Sequence, residues 1–341
     1  MAVAKSNAYG HGILDYPKYM EALGVDWIGV DSAVEGFKLR KIGVKIPILV
    51  LGYTLPANYK KSARENISLT ISHKEHLSEI LKLNTKDQSK IHIKIDTGMH
   101  RQGFLPHELP DVIRILKENK FIKLEGIYTH FAQAKNPSDD FFTNQQINKF
   151  GQVIRVFKDA GFSPLTHASA TGATILYPKA KYDMARVGIG LMGHYPSQEI
   201  SKEFGDSLDL HPSLSWKSII SEIKEIPKGE PVGYDLSETV TRTTTIGIVP
   251  IGYWHGYRRS LSSTGYVLIN GQQAKVLGRV SMDMITVDLT DINRVKIGNE
   301  VVLIGKSGSE EITAEELATI CGTTSYEILT QLNPLIKRVY I

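Results

Sequence analysis

The chain opens with Met1-Ala-Val-Ala-Lys5-Ser-Asn-Ala-Tyr-Gly-His-Gly12, a short apolar run that leads directly into a polar, glycine-containing turn. An apolar run bounded by turn residues is typical of a buried strand. We predict a first strand over residues 1–4, with Lys5 at its carboxyl end. Desolvation disfavours the ammonium form of a lysine, so a lysine there could supply a neutral amine for Schiff-base chemistry. A lysine that simply extends from the strand end into solvent is the alternative.

Similar apolar runs recur through the first two hundred residues, and amphipathic segments separate them. In residues 73–83, for example, Leu77, Ile80 and Leu81 fall on one helical face. This alternation predicts an α/β fold, a (β/α)8 TIM-type barrel, although an open doubly wound sheet would show the same pattern. The predicted strands cover residues 1–4, 27–30, 47–51, 67–71, 91–95, 124–128, 165–168 and 185–191.

After Pro196 the pattern changes to strand-like runs rich in Thr, Val and Ile, with few helical segments between them. Asn270-Gly271 between two of these runs predicts a tight β-hairpin. Thr313 followed by Glu316 predicts the capped start of a short helix. We therefore predict a barrel over residues 1–205 and a mostly antiparallel β domain over residues 206–341.

The composition narrows the class of function. The 341 residues, 42% hydrophobic and 22% charged, suffice for one large domain or two smaller ones. The 40 Lys and Arg against 36 Asp and Glu give a net charge of +4, too dilute to favour nucleic acid or an anionic membrane as partner. We therefore expect a small-molecule substrate. The single Cys321 excludes an intramolecular disulfide, and no segment resembles a signal peptide or membrane span, so we predict a cytoplasmic protein.

Polar residues follow several of the predicted strands at the point where each strand ends. In a (β/α)8 barrel these carboxyl ends meet at one face, which carries the active site. One polar strand end is usually a cap or a turn, but five of them favour a single site. The five segments are residues 5–12, 94–101, 129–130, 167–172 and the stretch that begins at Arg186.

The octet Lys5-Ser-Asn-Ala-Tyr-Gly-His-Gly12 resembles the lysine signature of the alanine racemases, which are pyridoxal 5′-phosphate (PLP) enzymes with a barrel fold. Four further segments resemble motifs of this family in the same order along the chain. Five ordered motifs are hard to obtain by chance. The four are residues 94–101 (Lys-x-Asp-Thr-Gly-Met-x-Arg), 183–193 (Arg-x-Gly-Ile), 252–256 (Gly-Tyr-x-Asp-Gly) and 278–283 (Gly-Arg-Val-Cys-Met-Asp).

The resemblance implies interconversion of L- and D-alanine by two bases, one on each face of the substrate. Lys5 matches the lysine that holds the cofactor and acts on the D-enantiomer. Tyr253 matches the opposing base, which acts on the L-enantiomer and which the β domain of a partner subunit supplies. A homodimer with composite sites is therefore implied. Because an ordinary phenol has a pKa of about 10, this base needs a proton relay or a nearby positive charge.

Three residues match the family's groups behind that tyrosine: His130, His167 and Arg186. Taken singly, each histidine could equally be a core residue hydrogen-bonded to the backbone. Arg186 matches the arginine that faces the pyridine nitrogen of the cofactor. A permanently charged guanidinium keeps that nitrogen unprotonated, which weakens the electron sink and favours racemisation over transamination. An ion pair between Arg186 and Asp183 is the structural alternative.

The cofactor phosphate has four matching positions: the side chains of Tyr9 and Thr171 and the backbone of Gly188 and Ile189. Barrels commonly bind phosphate with the loops after their last two strands. The relatives usually have Asn-Ser where this chain has Ala170-Thr171. Thr171 keeps a hydroxyl, whereas Ala170 offers no amide group.

The substrate itself also has matching residues. Arg101 corresponds to the arginine that binds the substrate carboxylate through its planar donors. Many relatives carry a carbamate on the lysine equivalent to Lys94, where it orients that arginine, and we hypothesise the same modification here. Met282, from the partner subunit, would contact the substrate through its backbone, although a core methionine in a β turn is the alternative. Asp283 completes the same motif in a supporting position.

This chain departs from the family pattern at several places. His255 replaces the aspartate of Gly-Tyr-x-Asp-Gly, which is expected to change how the Tyr253 loop is held. Asn333-Pro334 stands where many relatives place a tyrosine, so the pocket could accept serine as well as alanine. Family members also have a strand and a helix before the lysine strand. Their absence before Met1 leaves two alternatives: a truncated or misassigned start of the chain, or a protein with an uncovered edge of the barrel.

Several functions stay open at this point. The first is a PLP-dependent racemase of alanine, and a serine or broad-specificity racemase is its variant. A barrel-type decarboxylase of basic amino acids is disfavoured by Arg186, because those enzymes place an acidic group at the pyridine nitrogen. The third is a cofactor-binding protein rather than an enzyme: a homologue that binds PLP without turnover, made inert by His255 or by the missing N-terminal segment.

Overall fold

A computed structural model describes residues 1–83 and 86–341 of the protein. The chain divides into two compact units, the barrel unit Met1–His211 and the β unit Pro212–Ile341. Among the described residues, no helix combines the length and the apolar character that crossing a membrane would require. The cytoplasmic location stays a prediction.

The barrel unit contains a parallel sheet of seven strands, counted over residues 1–83 and 86–211, in which each strand pairs with the next along the chain. The first seven predicted strands are confirmed, and their ends differ from the prediction by at most two residues. The strands are β1 Ala2–Val3, β2 Ile28–Val30, β3 Ile48–Val50, β4 Ile67–Ile71, β5 Ser89–Lys94, β6 Ile122–Tyr128 and β7 Leu165–His167.

The prediction of an eighth strand over residues 185–191 is wrong. Val187 alone forms an isolated parallel bridge with Ala2. In that bridge the Val3 N–H donates to the Val187 carbonyl at 2.8 Å. The chain then enters a 3-10 helix, Ile189–Met192. A single bridge therefore stands beside β1 where a strand was expected.

Close backbone approach explains why this segment does not continue as a strand. A Cβ atom built on Gly188 would lie 2.5 Å from the Tyr9 hydroxyl, and one on Gly190 would lie 2.7 Å from Cγ2 of Thr171. Glycine within a strand weakens it and often marks such an approach. Gly188 and Gly190 therefore allow the close contact with Tyr9 and Thr171 instead of extending a strand.

Helices connect the strands of the barrel unit, as the amphipathic segments between the apolar runs predict. Residues 73–83 contain a helix with Leu77 and Ile80 buried. A capping box formed by Ser32 and Glu35 starts another helix. The helices are α1 Lys5–Tyr9, α2 Tyr16–Ala22, α3 Ala33–Lys41, α4 Tyr59–Arg64, α5 Lys74–Leu81, α6 Leu109–Glu118, α7 Phe141–Asp159, α8 Thr171–Leu176 and α9 Gln198–Phe204.

The parallel strands form the core of the barrel unit. All five residues of β4 are buried, as are all three of β2 and of β3. Parallel strands that are covered on both faces read as continuous apolar runs, which is why they were visible in the sequence.

The β unit is built on an antiparallel sheet. Asn270 and Gly271 form the predicted hairpin, with φ angles of 50° and 75° that suit the tight turns of hairpins. The capping box of Thr313 and Glu316 is also confirmed. The elements are β8 Trp216–Ile219, β9 Glu222–Ile226, β10 Pro231–Val232, β11 Glu238–Thr239, β12 Thr244–Val249, β13 Tyr266–Ile269, β14 Gln272–Leu277, β15 Ile285–Asp288, β16 Glu300–Ser307, β17 Glu310–Ile312, α10 Ala314–Ile320 and α11 Ser325–Thr330.

Candidate active site

Lys5 lies at the carboxyl end of β1, where it starts an unusual helical turn. Residues 6–9 all have φ angles between 52° and 57°, so α1 is a left-handed turn. Left-handed helical backbone costs an L-residue roughly 1–2 kcal/mol, and strain of this kind clusters at functional sites. The strained turn directly follows the lysine for which the sequence predicted a chemical role.

A carboxylate from the next loop helps to hold this turn. Glu35 accepts a hydrogen bond from the Ser6 N–H at 3.0 Å through Oε1, and another from the Asp31 N–H at 2.8 Å through Oε2. Within the turn region, Oδ1 of Asn7 accepts from the Ile13 N–H at 2.9 Å. These contacts tie the backbone next to Lys5 to the loop after β2.

Arg186 is buried and surrounded by acceptors. Its Nη1 lies 2.9 Å from Nδ1 of His167, and its Nη2 lies 3.2 Å from Nδ1 of His130. Nη2 also donates to the carbonyls of Thr129 and Ala168, at 2.8 and 2.7 Å. Burial lowers the pKa of Arg186 to about 10, so the guanidinium stays charged near neutral pH. The structure thus brings together three predicted site residues.

Asp183, the alternative partner considered for Arg186, is engaged elsewhere. Its Oδ2 accepts from the backbone N–H of Thr166 at 2.7 Å and from the hydroxyl of Thr166 at 2.6 Å. The charge of Arg186 therefore faces imidazoles and carbonyls rather than this carboxylate.

The arginine determines which nitrogens of the histidines carry protons. A guanidinium can only donate, so Nδ1 of His167 and Nδ1 of His130 must accept, and each neutral ring carries its proton on Nε2. His167 then donates from Nε2 to Nδ1 of His92, 2.9 Å away. Desolvation, followed by the charge of Arg186, holds the pKa of His130 and of His167 well below the usual value. Both imidazoles are therefore neutral.

Sequence reasoning missed two members of this cluster, His92 and Tyr128. The Tyr128 ring stacks on His167 with a centroid distance of 4.7 Å, and the guanidinium carbon of Arg186 lies 5.0 Å from its centroid. Strand periodicity could have found them, because side chains two residues apart lie on the same face. His92 stands two residues before Lys94.

Lys94 is buried, and its Nζ donates to Oε1 of Gln102 at 3.0 Å. Desolvation has the largest effect on this amine, and the charges of Arg101, Arg186 and Lys5 add to it, lowering the pKa of Lys94 to about 8. These four basic side chains therefore lie within electrostatic reach of one another. A site of this character suits a substrate or cofactor with several negative charges.

The residues predicted for phosphate binding also meet. The Gly190 N–H donates to the Thr171 hydroxyl at 3.3 Å, and Gly188 lies directly beside the Tyr9 hydroxyl. Burial raises the pKa of Tyr9 to about 12, so its hydroxyl is neutral at pH 7 and can donate to an anion. Ile189 follows at the start of the 3-10 helix and is itself buried.

In the β unit, Tyr253 and Met282 lie on adjoining turns. The Tyr253 N–H donates to the Ser281 carbonyl and the Trp254 N–H to the Met282 carbonyl, both at 3.0 Å. Tyr253 is 44% exposed and Met282 is 55% exposed, so both are available to a partner. Asp283 follows Met282 and is exposed as well.

Comparison with known proteins assigns both units to one family. The family model described as "Alanine racemase, N-terminal domain" matches residues 1–196, and "Alanine racemase, C-terminal domain" matches residues 213–340. The chain is 39% identical to the alanine racemase of Carboxydothermus hydrogenoformans, over 100% of this chain and 92% of that protein. It is also 39% identical to alanine racemase 2 of Bacillus subtilis, over 100% of this chain and 88% of that protein.

Solved structures agree with this result. The crystal structure of alanine racemase from Bacillus anthracis with bound L-Ala-P matches with a TM-score of 0.92 and 34% identity, over 97% of this chain and 85% of that chain. The alanine racemase of Clostridium difficile 630 matches with a TM-score of 0.91 and 36% identity, over 97% of this chain and 86% of that chain. The chain belongs to the alanine racemase family.

Proposed function

We propose that this protein interconverts L- and D-alanine with PLP as its cofactor, as a homodimer with composite active sites. The observation that carries the proposal is the buried Arg186, which two neutral imidazoles and two carbonyls hold in place. A permanently charged group of this kind suits an unprotonated pyridine nitrogen, and this favours local return of a proton over transfer of the amino group.

The barrel residues fit PLP. Lys5 offers a primary amine at the end of β1, and Arg186 offers a fixed cation for the ring nitrogen. Tyr9 and Thr171 offer hydroxyl groups beside Gly188, where the backbone approaches so closely that a Cβ atom would clash with the Tyr9 hydroxyl. When bound, PLP supplies an electron sink that makes the α-hydrogen of an amino acid acidic.

Two bases then complete the reaction. Nζ of Lys5 holds or removes the α-proton on one face, and the hydroxyl oxygen of Tyr253 does so on the other face. Inversion follows when one base removes a proton and the other returns one. Tyr253 lies in the β unit, and we assign it to the active site of a second copy of the chain.

The basic surroundings support a tyrosine base. The charges of Arg186 and Arg101 both act on His130, where, after desolvation, they help to depress the pKa. The same positive potential would favour a phenolate at the site. His130, neutral and with its proton on Nε2, is the proposed relay behind Tyr253.

Arg101 and Lys94 serve the substrate in this proposal. Arg101 would bind the substrate carboxylate through its planar donors. The lowered pKa of Lys94 leaves a larger neutral fraction near neutral pH than an ordinary lysine has, and only a neutral amine can add CO2. A carbamate on Lys94 is therefore part of the proposal, and a mass spectrum of active protein without the added mass of one CO2 would contradict it.

The exposed apolar side chains around Tyr253 support the second copy as partner. Tyr253, Trp254, Met282 and Met284 are each between 44% and 57% exposed. Adjoining exposed apolar residues mark interaction surfaces. This surface carries the residues that the partner's active site requires.

Serine is the second candidate substrate. Asn333-Pro334 stands where many relatives have a tyrosine near the substrate, and the Asn333 side chain donates to the Trp254 carbonyl at 2.9 Å. One hydroxyl of extra space discriminates weakly between alanine and serine.

Chiral analysis tests the function. The protein is incubated with PLP and, separately, with L-alanine, L-serine and L-lysine. We expect L-alanine to become a racemic mixture. Carbon dioxide and an amine from lysine would indicate a decarboxylase, and an unchanged alanine sample that still shows the visible absorbance of bound cofactor would indicate a homologue without turnover.

A further inference from the structure

The turn that carries Tyr253 is capped by a histidine. The backbone N–H of Gly252 donates to Nδ1 of His255 at 3.2 Å, and the residues between them form the 3-10 helix Tyr253–His255. The corresponding position of the family motif is an aspartate, whose carboxylate is an acceptor over most of the accessible pH range. In this chain the acceptor is instead an imidazole nitrogen.

The rest of the turn is held by neutral backbone and amide groups. Asn333, which is buried, donates from Nδ2 to the Trp254 carbonyl at 2.9 Å and from its backbone to the His255 carbonyl at 3.2 Å. The carbonyls of Ser281 and Met282 accept from the other side. The Gly252 carbonyl accepts from the backbone N–H groups of His255 and Tyr257 at 3.0 and 3.2 Å, which joins the two ends of the turn. Nδ1 of His255 adds an acceptor for the Gly252 N–H.

We propose that His255 is a positioning residue for Tyr253, and that its side chain holds the Gly252 N–H, next to Tyr253, only while Nδ1 is unprotonated. An imidazolium carries N–H groups on both nitrogens and cannot accept a hydrogen bond. Protonation would therefore set two N–H groups against each other and leave the Gly252 N–H without its acceptor. The consequence is a racemase whose activity declines at acid pH more steeply than with aspartate at this position. This inference rests on the proposed function of Tyr253.

The groups around the turn do not supply an alternative titration of the same hydrogen bond. The neighbours that bond to it, Ser281, Met282 and Asn333, are neutral. Charged residues that adjoin it include Asp283, next to Met282, and Arg258, which forms an ion pair with Glu327 of α11. Arg338 also lies nearby and donates to the Asn333 carbonyl at 2.6 Å. Histidine is the side chain whose charge ordinarily changes between pH 5 and 8.

Racemisation kinetics across that pH range provide the first test. Relative to the wild type, His255→Asp should extend the plateau of kcat toward acid pH, because a carboxylate still accepts there. His255→Ala should lower kcat roughly ten- to a hundredfold at pH 8, since misplacement of a catalytic group has effects of this size, and its difference from the wild type should shrink toward acid pH. The control is His107→Asp, an exposed histidine of the barrel unit, which should keep the wild-type profile.

Hydrogen exchange provides a second test that does not depend on turnover. The full-length protein is examined without substrate, and exchange of the amides at residues 252–256 is corrected for the intrinsic effect of pH. The wild type should lose protection as pH falls from 8 to 5, whereas His255→Asp should retain it.

The outcomes separate this inference from the proposed function. If the protein does not racemise alanine, the proposed function fails, and exchange at residues 252–256 still decides the role of His255. If it is an active racemase and the wild type and His255→Asp share one pH profile and one exchange pattern, the role of His255 is refuted.

Discussion

Nδ1 of His92 lies 2.9 Å from Nε2 of His167, and both rings are completely buried in the barrel unit. Because Arg186 occupies the other nitrogen of His167, this contact completes the hydrogen bonding of that ring. Desolvation, with the charge of Arg186 as a second cause, lowers the pKa of His92 to about 3, so it accepts as a neutral ring. A side chain outside the family motifs thereby supports the arginine that carries the proposed function.

Replacing His92 tests that support. We expect His92→Leu to lower the free energy of unfolding by about 1–3 kcal/mol, because the Nε2–H of His167 would stay buried without an acceptor. Urea denaturation of the two proteins measures the change. His107→Leu, at an exposed position, serves as the control and should change stability by less than about 0.5 kcal/mol. Equal stabilities of His92→Leu and wild type would contradict the role assigned to His92.

Gly126 provides space for the His92 ring. A Cβ atom at this position would lie 2.2 Å from Nδ1 of His92, so Gly126→Ala should cost about 1–3 kcal/mol of stability. Combining it with His92→Ala should remove most of that cost, which a double-mutant cycle measures. The control is Gly151→Ala in α7, where nothing lies within 4 Å and alanine should stabilise the helix by about 0.5–1 kcal/mol. Additive effects of the two core changes would refute the steric explanation.

Because residues 6–9 form a left-handed turn, replacing Ser6 by glycine is expected to stabilise the protein rather than destabilise it. Ser6 is exposed with a φ of 56°, so Ser6→Gly should relieve about 1–2 kcal/mol of strain and lose about 0.5–1 kcal/mol to chain entropy. The net expectation is a small gain in thermal stability. Ser78→Gly in the right-handed helix α5 is the matched change and should cost about 0.5 kcal/mol. A loss of stability with Ser6→Gly would show that the turn is not strained.

The buried amine of Lys94 should make the free energy of unfolding depend on pH. The measurement uses protein freed of bicarbonate, so that Lys94 carries no carbamate. Its pKa falls from 10.5 to about 8 on folding, so between these values the unfolded state binds more protons. The free energy of unfolding should therefore rise with pH from 8 to 10.5, and the burial cost should be fully present below pH 8. Lys94→Met lacks this burial cost, so its free energy of unfolding should exceed that of the wild type by about 3 kcal/mol at pH 8, with the difference shrinking toward pH 10.5. A difference that stays constant with pH would contradict the lowered pKa.

Tyr253→Phe tests the second base. Loss of the hydroxyl should reduce racemisation by about 10²- to 10⁴-fold, the usual contribution of a general acid or base. The visible absorbance of bound PLP should remain, since the groups proposed to hold the cofactor lie in the barrel unit. Near-normal racemisation by this variant would refute the two-base assignment.

The order of the strands and the polar strand ends were predictable from local sequence, whereas the roles of the individual site residues came from the resemblance to a family. Lys5, Lys94 and His130 follow or end apolar runs, and the carboxyl ends of parallel strands share one face of a barrel. The eighth strand was not predictable in this way. An apolar run with interspersed glycines reads as a strand, whereas here the glycines allow contact with Tyr9 and Thr171, which come from other segments.

The amino-acid sequence by itself determined the first seven strands, the hairpin at Asn270 and Gly271, and the kinds of side chain at the strand ends. Periodicity and turn preferences act over a few neighbouring residues, so one chain suffices to show them. Only the tertiary structure decided the tautomers of His167 and His92 and the left-handed turn after Lys5. Those features depend on Arg186 and Glu35, which reach their partners from distant positions in the chain, and the packing of the barrel brings them into hydrogen-bond distance.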